Sequence, residues 1–325
     1  MTFLITGAAG FIGFHTASEL LAKGESVIGI DNLNDYYPPE LKKARLDQLT
    51  AHSQFEFHQV DIAEEKEIRH ALDGKPVHKI IHLAAQAGVR YSIENPSSYV
   101  RSNLVGHANL LEYARNLDSL EHMAYASSSS VYGGRTDLPF SETDRCDKPV
   151  SLYAATKKSG ELMSHTYSHL YAIPLTGLRF FTVYGPWGRP DMAYWSFTRD
   201  IEQGNIIKVF NNGEMLRDFT YIDDIVSGIT AIMEKGHVRE LDVPHFVYNI
   251  GNNNPEKLED FIAILENLLG KKAKRENLPM QPGDVPATYA DISAISHDYG
   301  FKPTTDLKTG LENYVSWYRG YNRVK

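Results

Sequence analysis

Only one cysteine, Cys146, occurs in the 325 residues, so no internal disulfide can form and a reducing compartment is the expected setting. Cys146 stands among Ser, Thr, Asp and Arg with no base partner near it in sequence, and reads as an incidental thiol. No apolar run approaches the ~18 residues needed to cross a bilayer. The short basic run Lys271-Lys-Ala-Lys-Arg275 reads as a solvated helix end, and the formal net charge is −8, which argues against nucleic acid and anionic membranes as partners. The chain enters an apolar segment at once, with no charged leader or cleavage site, so a soluble, cytoplasmic protein is expected. Repeats, low-complexity tracts and long linkers are missing as well. The 13 histidines are scattered. His165 and His169 are one helical turn apart, but Tyr167 and Tyr171 interleave with them and no acidic ligand is close. They read as helix surface or a subunit contact, and no metal site is expected. Nor is there a nucleophile elbow or a Ser-His-Asp pattern.

What is present is a large apolar fraction, 42%, in a chain long enough for about two domains. A chain of this size buries roughly three quarters of its unfolded surface. Short apolar runs at 3–6, 26–30, 55–60, 79–84, 123–127 and 175–180 alternate with amphipathic stretches at 14–22, 41–49, 66–72, 98–114 and 153–171. That alternation predicts a Rossmann-type α/β fold, a doubly wound parallel sheet with helices on both faces. After residue 180 the rhythm changes. Loops lengthen, Pro and Gly cluster, and helices are predicted at 193–203, 223–235, 257–269 and 307–318. The expected division is a dinucleotide-binding domain over 1–179 and a smaller mixed α/β substrate domain over 180–325, with segments free to cross between them.

Ligands of such sheets bind beyond the carboxyl ends of the strands. Gly7-Ala-Ala-Gly10-Phe11-Ile12-Gly13 follows the first strand and opens a helix, where backbone amides can meet a pyrophosphate. The spacing is G-x-x-G-x-x-G rather than the commoner G-x-G-x-x-G. Asp31, followed by Asn32, closes the second strand, and a carboxylate there accepts from ribose hydroxyls while repelling a 2′-phosphate. The expected cofactor is therefore NAD and not NADP. Asp61 and Ile62 end the third strand and can meet the adenine edge. Leu83, Ala84, Ala85 and Gln86 end the fourth, where small residues let a cofactor lie against the backbone. Asn103, inside a helix, is a further cofactor candidate.

The reacting groups follow. Tyr153 and Lys157 are four residues apart, hence on one helical face. An ammonium beside a phenol favours the phenolate, so tyrosine can act as a base near neutral pH. Ser127-Ser-Ser-Ser130 ends the fifth strand, and one of its hydroxyls can share a proton between a sugar and that phenol.

Longer strings carry a resemblance. Asp31-Asn-Leu-Asn-Asp-Tyr-Tyr37, Ala85-Gln-Ala-Gly-Val-Arg-Tyr91, Pro149-Val-Ser-Leu-Tyr-Ala-Ala-Thr-Lys157, Leu178-Arg-Phe-Phe-Thr-Val-Tyr-Gly-Pro-Trp-Gly-Arg-Pro-Asp-Met192, Arg217-Asp-Phe-Thr-Tyr-Ile-Asp-Asp224 and Met280-Gln-Pro-Gly-Asp-Val285 resemble the extended short-chain dehydrogenase/reductase family and, within it, the nucleotide-sugar epimerases. The resemblance spans essentially the whole chain. It implies a Ser128–Tyr153–Lys157 triad, a UDP-sugar substrate, and a homodimer formed through the helices near 98–114 and 153–171. It further implies Arg217 on the diphosphate, Lys208 and Phe210 near the uracil, and Asp284 in the same site. Many relatives carry Asn where Thr182 stands and Arg where Gln281 stands, and both departures resemble the branch acting on uronic acids. A uronate carboxylate in a closed cleft must be hydrogen-bonded or paired. Ser128, Ser129, Ser130 and Thr182 offer hydroxyls, Arg189 a planar cation, and Arg90 a second one. The alternatives are a neutral UDP-hexose 4-epimerase and a uronate decarboxylase. A 4,6-dehydratase would need an Asp-Glu pair where Ser129 and Ser130 stand, and a non-catalytic NAD sensor would commonly lack the Tyr or the Lys.

Overall fold

The computed structural model describes residues 1–281 and 283–323. Pro282, within the 280–285 string, lies outside the described residues. A seven-stranded, wholly parallel sheet organises the chain, in the order His245–Ile250, Leu175–Phe180, His122–Ser128, Lys79–His82, Thr2–Thr6, Ser26–Asp31, Phe55–Gln59. Alternation along the first strand explains its two-sided burial. Phe3 and Ile5 enter one apolar cluster and Leu4 the other. Helices Glu65–Leu72, Gly106–Arg115 and Leu152–Tyr171 serve one face, while Phe11–Ala22 and Ile222–Lys235 pack together on the other.

Strand order reverses between Thr2–Thr6 and Lys79–His82, which opens the crevice where such sheets take ligands. The turns after these two strands meet there. Gly7 has φ +72°, and a Cβ on it would lie 2.8 Å from the Ala84 backbone nitrogen, so only glycine fits.

The second half is less segregated than the change of rhythm predicts. His245–Ile250 completes the large sheet from an edge, beside Leu175–Phe180. The remaining strands form two small sheets. One joins Thr182–Tyr184, Leu216–Tyr221 and Pro255–Lys257, and the other pairs Ile206–Phe210 with Lys274–Leu278. The stretch predicted as one helix over 98–114 is interrupted. Pro96–Tyr99 runs into a wide π-type turn, Val100–Val105, before Gly106–Arg115 resumes α geometry. No helix among the described residues is long and apolar enough to cross a membrane.

Candidate active site

A cleft of about 1220 Å³ runs from the glycine turn across the strand ends into the second half. That exceeds the several hundred Å³ typical of a single small ligand. Gly7, Gly10, Phe11, Ile12, Gly13, Asp31, Asn32, Asp61, Ile62 and Leu83 to Gln86 line one end. Ser128, Ser129, Ser130, Tyr153 and Lys157 lie in the middle, with Thr182 and Arg189. Arg90, Lys208, Phe210, Arg217 and Asp284 line the other end.

The cofactor end is built for an anion. Helix Phe11–Ala22 begins at Gly10 with no side-chain cap and no acidic residue in its first turn. Its amides and dipole are therefore open to a pyrophosphate. Two other helices of the chain do carry side-chain caps, from Ser151 to the Ala154 amide at 3.1 Å and from Asp306 to the Thr309 amide at 2.9 Å. A Cβ on Gly13 would come within 2.1 Å of the Gly7 carbonyl oxygen, which fixes glycine there too. Asp31 is buried and accepts from the amides of Ala9 at 3.2 Å and Leu33 at 2.9 Å. Burial pushes its carboxyl up, and the Lys42 charge pulls it down. The donor set fits a dinucleotide with free ribose hydroxyls.

Asn103 behaves differently from the other cofactor candidates. Its Oδ1 accepts from the Gln86 amide at 2.8 Å, and its Nδ2 donates to the Gln86 carbonyl at 3.0 Å and to Thr156 Oγ1 at 3.0 Å. The buried side chain thus ties the fourth strand's end to the helix of Tyr153, and it does so from within the π-type turn.

Ser151 caps helix Leu152–Tyr171, which carries Tyr153 and Lys157 on one face. Lys157 Nζ lies 6.0 Å from the centre of the Tyr153 ring and donates to the Ala126 carbonyl at 2.9 Å. Burial brings Lys157 down to about 8. It pushes the Tyr153 phenol up, and the opposing pulls come from a hydrogen bond to Ser128 and from the Arg189 charge. The Lys157 ammonium is turned to a backbone carbonyl, and Ser128 and Arg189 are the groups that pull the phenol down. Ser128 caps the turn Ser129–Tyr132, accepting from the Ser130 amide at 3.2 Å and the Ser130 hydroxyl at 2.9 Å. Ser127 instead donates to Glu161 at 2.7 Å.

At the far end Arg90 pairs with Asp284 at 3.1 Å, and its guanidinium lies 4.9 Å from the centre of the Phe210 ring. Arg217 donates to the carbonyls of Leu216 at 2.9 Å and Pro286 at 3.2 Å. Burial lowers its pKa, and the Asp284 charge only partly opposes this. A half-hidden guanidinium bonded only to neutral groups suits an anion.

Three side chains that matter here went unnoticed in the sequence. Arg45, fully buried, donates to the carbonyls of Ala9 at 2.8 Å, Trp187 at 2.6 Å and Gly188 at 3.1 Å, and to the Tyr37 hydroxyl at 2.8 Å. It ties the glycine turn to the loop of Arg189. Asp191 meets Arg189 itself, and Tyr36 donates to Asp191. The signal for Asp191 was its place two residues after Arg189. Tyr36 and Arg45 gave no comparable signal, since their partners are remote in sequence.

A parallel sheet with an uncapped glycine turn at its switch point, facing a Tyr/Lys pair, defines a dinucleotide-dependent enzyme of the short-chain dehydrogenase/reductase type. The chain belongs to the NAD dependent epimerase/dehydratase family, whose sequence pattern matches residues 3–251. It is 50% identical to UDP-glucuronate 4-epimerase 3 of Arabidopsis thaliana, over 98% of this chain and 76% of that protein. Its structure is similar to that of UDP-glucuronic acid 4-epimerase from Bacillus cereus in complex with UDP-glucuronic acid and NAD. The TM-score is 0.90 at 34% identity, over 99% of this chain and 100% of that one. UDP-glucose 4-epimerase from Thermotoga maritima is also similar, with a TM-score of 0.89 at 28% identity over 99% and 100% of the two chains.

Proposed function

We propose that this protein is a UDP-glucuronate 4-epimerase, converting UDP-glucuronate to UDP-galacturonate through a transient 4-keto sugar. One observation carries the reading. A half-buried phenol with a serine hydroxyl beside it shares a cleft with a guanidinium able to meet a carboxylate. The relatives named above support the same substrate.

NAD, when bound, supplies the acceptor for the C4 hydride and returns it to the opposite face of the sugar. We assign its pyrophosphate to the amides of Phe11, Ile12 and Gly13, its adenosine ribose to Asp31, and its adenine to Asp61 and Ile62. Asn103 serves that end by holding Gln86. Tyr153 takes the proton from the C4 hydroxyl and gives it back, and Ser128 positions the hydroxyl and shares the proton. Lys157 holds the nicotinamide ribose beside them. Arg189, with Ser129, Ser130 and Thr182, orients the sugar carboxylate. A carboxylate held in the plane of the ring does not align for loss of carbon dioxide from the β-keto acid. Arg217 meets the diphosphate, Lys208 and Phe210 the uracil, and Asp284 and Arg90 close that end.

Residues 1–179 serve the cofactor and 180–325 the nucleotide sugar, with 245–250 and 222–235 crossing to the large sheet. The protein works as a homodimer in the cytoplasm. Val100 and Val105, with Leu162, Leu170 and Tyr171, leave an exposed apolar surface along the two helical segments proposed to pair. Light scattering tests the dimer, and a monomer at micromolar concentration refutes it. Incubation with UDP-glucuronate, resolved by NMR, tests the reaction. UDP-galacturonate is expected, whereas UDP-xylose or a 4-keto pentose would overturn the assignment.

A further inference from the structure

Arg189 already has a carboxylate. Asp191 forks its guanidinium, Nε to Oδ1 at 3.0 Å and Nη2 to Oδ2 at 2.5 Å. The same Oδ2 accepts from the Tyr36 hydroxyl at 3.1 Å. All three side chains line the cleft beside Tyr153 and Thr182. The Arg189 backbone amide donates to the Tyr194 hydroxyl at 2.9 Å, which anchors the main chain while the guanidinium keeps its rotamers. Two parallel charge-assisted bonds are the arrangement in which Arg recognises any carboxylate. The resting fork therefore occupies the edge that a sugar carboxylate needs.

We propose that Asp191 is a specificity-determining residue that stands in for the substrate carboxylate, and that a uronate displaces it from Arg189 while Tyr36 keeps Asp191 hydrogen-bonded. This rests on the UDP-glucuronate reading above. A uronate exchanges one carboxylate for another on the same guanidinium. A neutral hexose brings no charge to exchange for Asp191, so it leaves the fork in place and its affinity does not depend on Asp191, whereas the affinity of a uronate does. The exchange also reaches the acid–base group, because the Arg189 charge pulls the Tyr153 phenol down and that of Asp191 pushes it up.

The experiment compares UDP-glucuronate with UDP-glucose on the NAD-loaded enzyme, by calorimetric affinity and by KM. Asp191→Asn keeps the shape and a hydrogen bond to Tyr36 but frees the guanidinium. UDP-glucuronate should bind about tenfold more tightly, with UDP-glucose changed less than about twofold. Tyr36→Phe should act in the opposite sense. It removes the donor that satisfies Asp191 after the exchange, so KM for UDP-glucuronate rises several-fold with UDP-glucose unchanged. An unchanged ratio between the ligands in both variants overturns the proposal, and so does an equal weakening of both ligands. If Asp191→Asn loses NAD on purification, the Tyr36→Phe ratio decides. The wild-type product assay separates the two failures. Without UDP-galacturonate the proposed function falls and the exchange with it, whereas turnover with unmoved ratios sinks the exchange alone.

Discussion

Glu161, two turns beyond Tyr153 on the same helix, is forked by Arg179 of the adjacent strand, with Nε to Oε1 at 2.8 Å and Nη2 to Oε2 at 2.9 Å. Both side chains are 3% exposed. Ser127 donates to the same carboxylate at 2.7 Å, and Arg179 reaches the Tyr132 hydroxyl at 3.0 Å. One buried network therefore sets the helix of Tyr153 and Lys157 against the strand end that carries Ser128. The proton transfer proposed between Ser128 and Tyr153 depends on that register.

Removing one partner of this pair strands the other charge, at a cost of about 3–5 kcal/mol. Glu161→Gln is expected to lower the denaturation midpoint by that measure. Burial alone would raise the Glu161 carboxyl, but the Arg179 bonds and charge, with that of Lys158, outweigh it and bring it to about 2 from 4.5. A depressed folded-state value means the stabilisation is complete above the unfolded value and disappears as pH falls through the folded one. Wild-type stability should therefore fall between about pH 5 and pH 2 by about 3 kcal/mol from this group. Urea titrations across that range should show a shallower slope in Glu161→Gln, and equal slopes would remove Glu161 from the acid transition.

The Tyr153 phenol, raised by burial and pulled back by Ser128 and Arg189, gives the pH–rate profile a sign. In the proposed mechanism the base is the ionised form, so kcat/KM should climb through the alkaline limb. Ser128→Ala removes the larger downward pull, and the limb should move to higher pH, with kcat down roughly 10²–10⁴-fold as for a lost acid–base participant. Tyr153→Phe should retain NAD and lose turnover by several orders of magnitude. A Ser128→Ala limb unmoved on the pH axis would place the proton elsewhere.

Arg45 gives a prediction of a different kind, because it touches neither reacting group. Arg45→Met keeps the apolar stem and removes four hydrogen bonds, leaving the carbonyls of Ala9, Trp187 and Gly188 without their donor. Each buried acceptor left unsatisfied costs about 1–3 kcal/mol. The glycine turn and the Arg189 loop should loosen together. NAD content after purification and KM for UDP-glucuronate are therefore expected to worsen in the same variant. Loss of one without the other would show that the two loops are independent.

These cases mark what can be read along a chain. The Tyr153–Lys157 helix is legible because its apolar period, its spacing and its Ser151 cap agree locally. The glycine turn is legible for the same reason, as strand, glycines and helix are contiguous. Arg45 is not, since a charged residue on helix Pro39–Leu49 suggests solvent until the loop of Trp187 folds over it. The edge strand His245–Ile250 joins the first half's sheet across a long gap in sequence, which no local pattern reports. Asp191 lies beside Arg189 in sequence, yet its neutralising role appears only when Tyr36 arrives from the other half of the cleft.

Asn103 joins both kinds of information. Its residue type and helical placement suggest a cofactor contact, but the π-type turn at Val100–Val105 is invisible in the sequence, and its bonds run to Gln86 and Thr156. Asn103→Ala frees a buried amide and a buried carbonyl at Gln86, each worth about 1–3 kcal/mol if no water replaces the side chain. The strand end at Gln86 should then drift from the helix of Tyr153. NAD should dissociate faster and kcat should fall, while the alkaline limb set by Ser128 stays in place because that pair is untouched. Thr156→Val removes the link to the helix together with the hydroxyl's own bond to the Tyr153 carbonyl at 2.8 Å but leaves both bonds to Gln86, so NAD retention should survive and kcat alone should drop. Stopped-flow NAD release and pH–rate profiles on the two variants would check this. Equal NAD loss in both would show that Thr156, and not Gln86, carries the coupling.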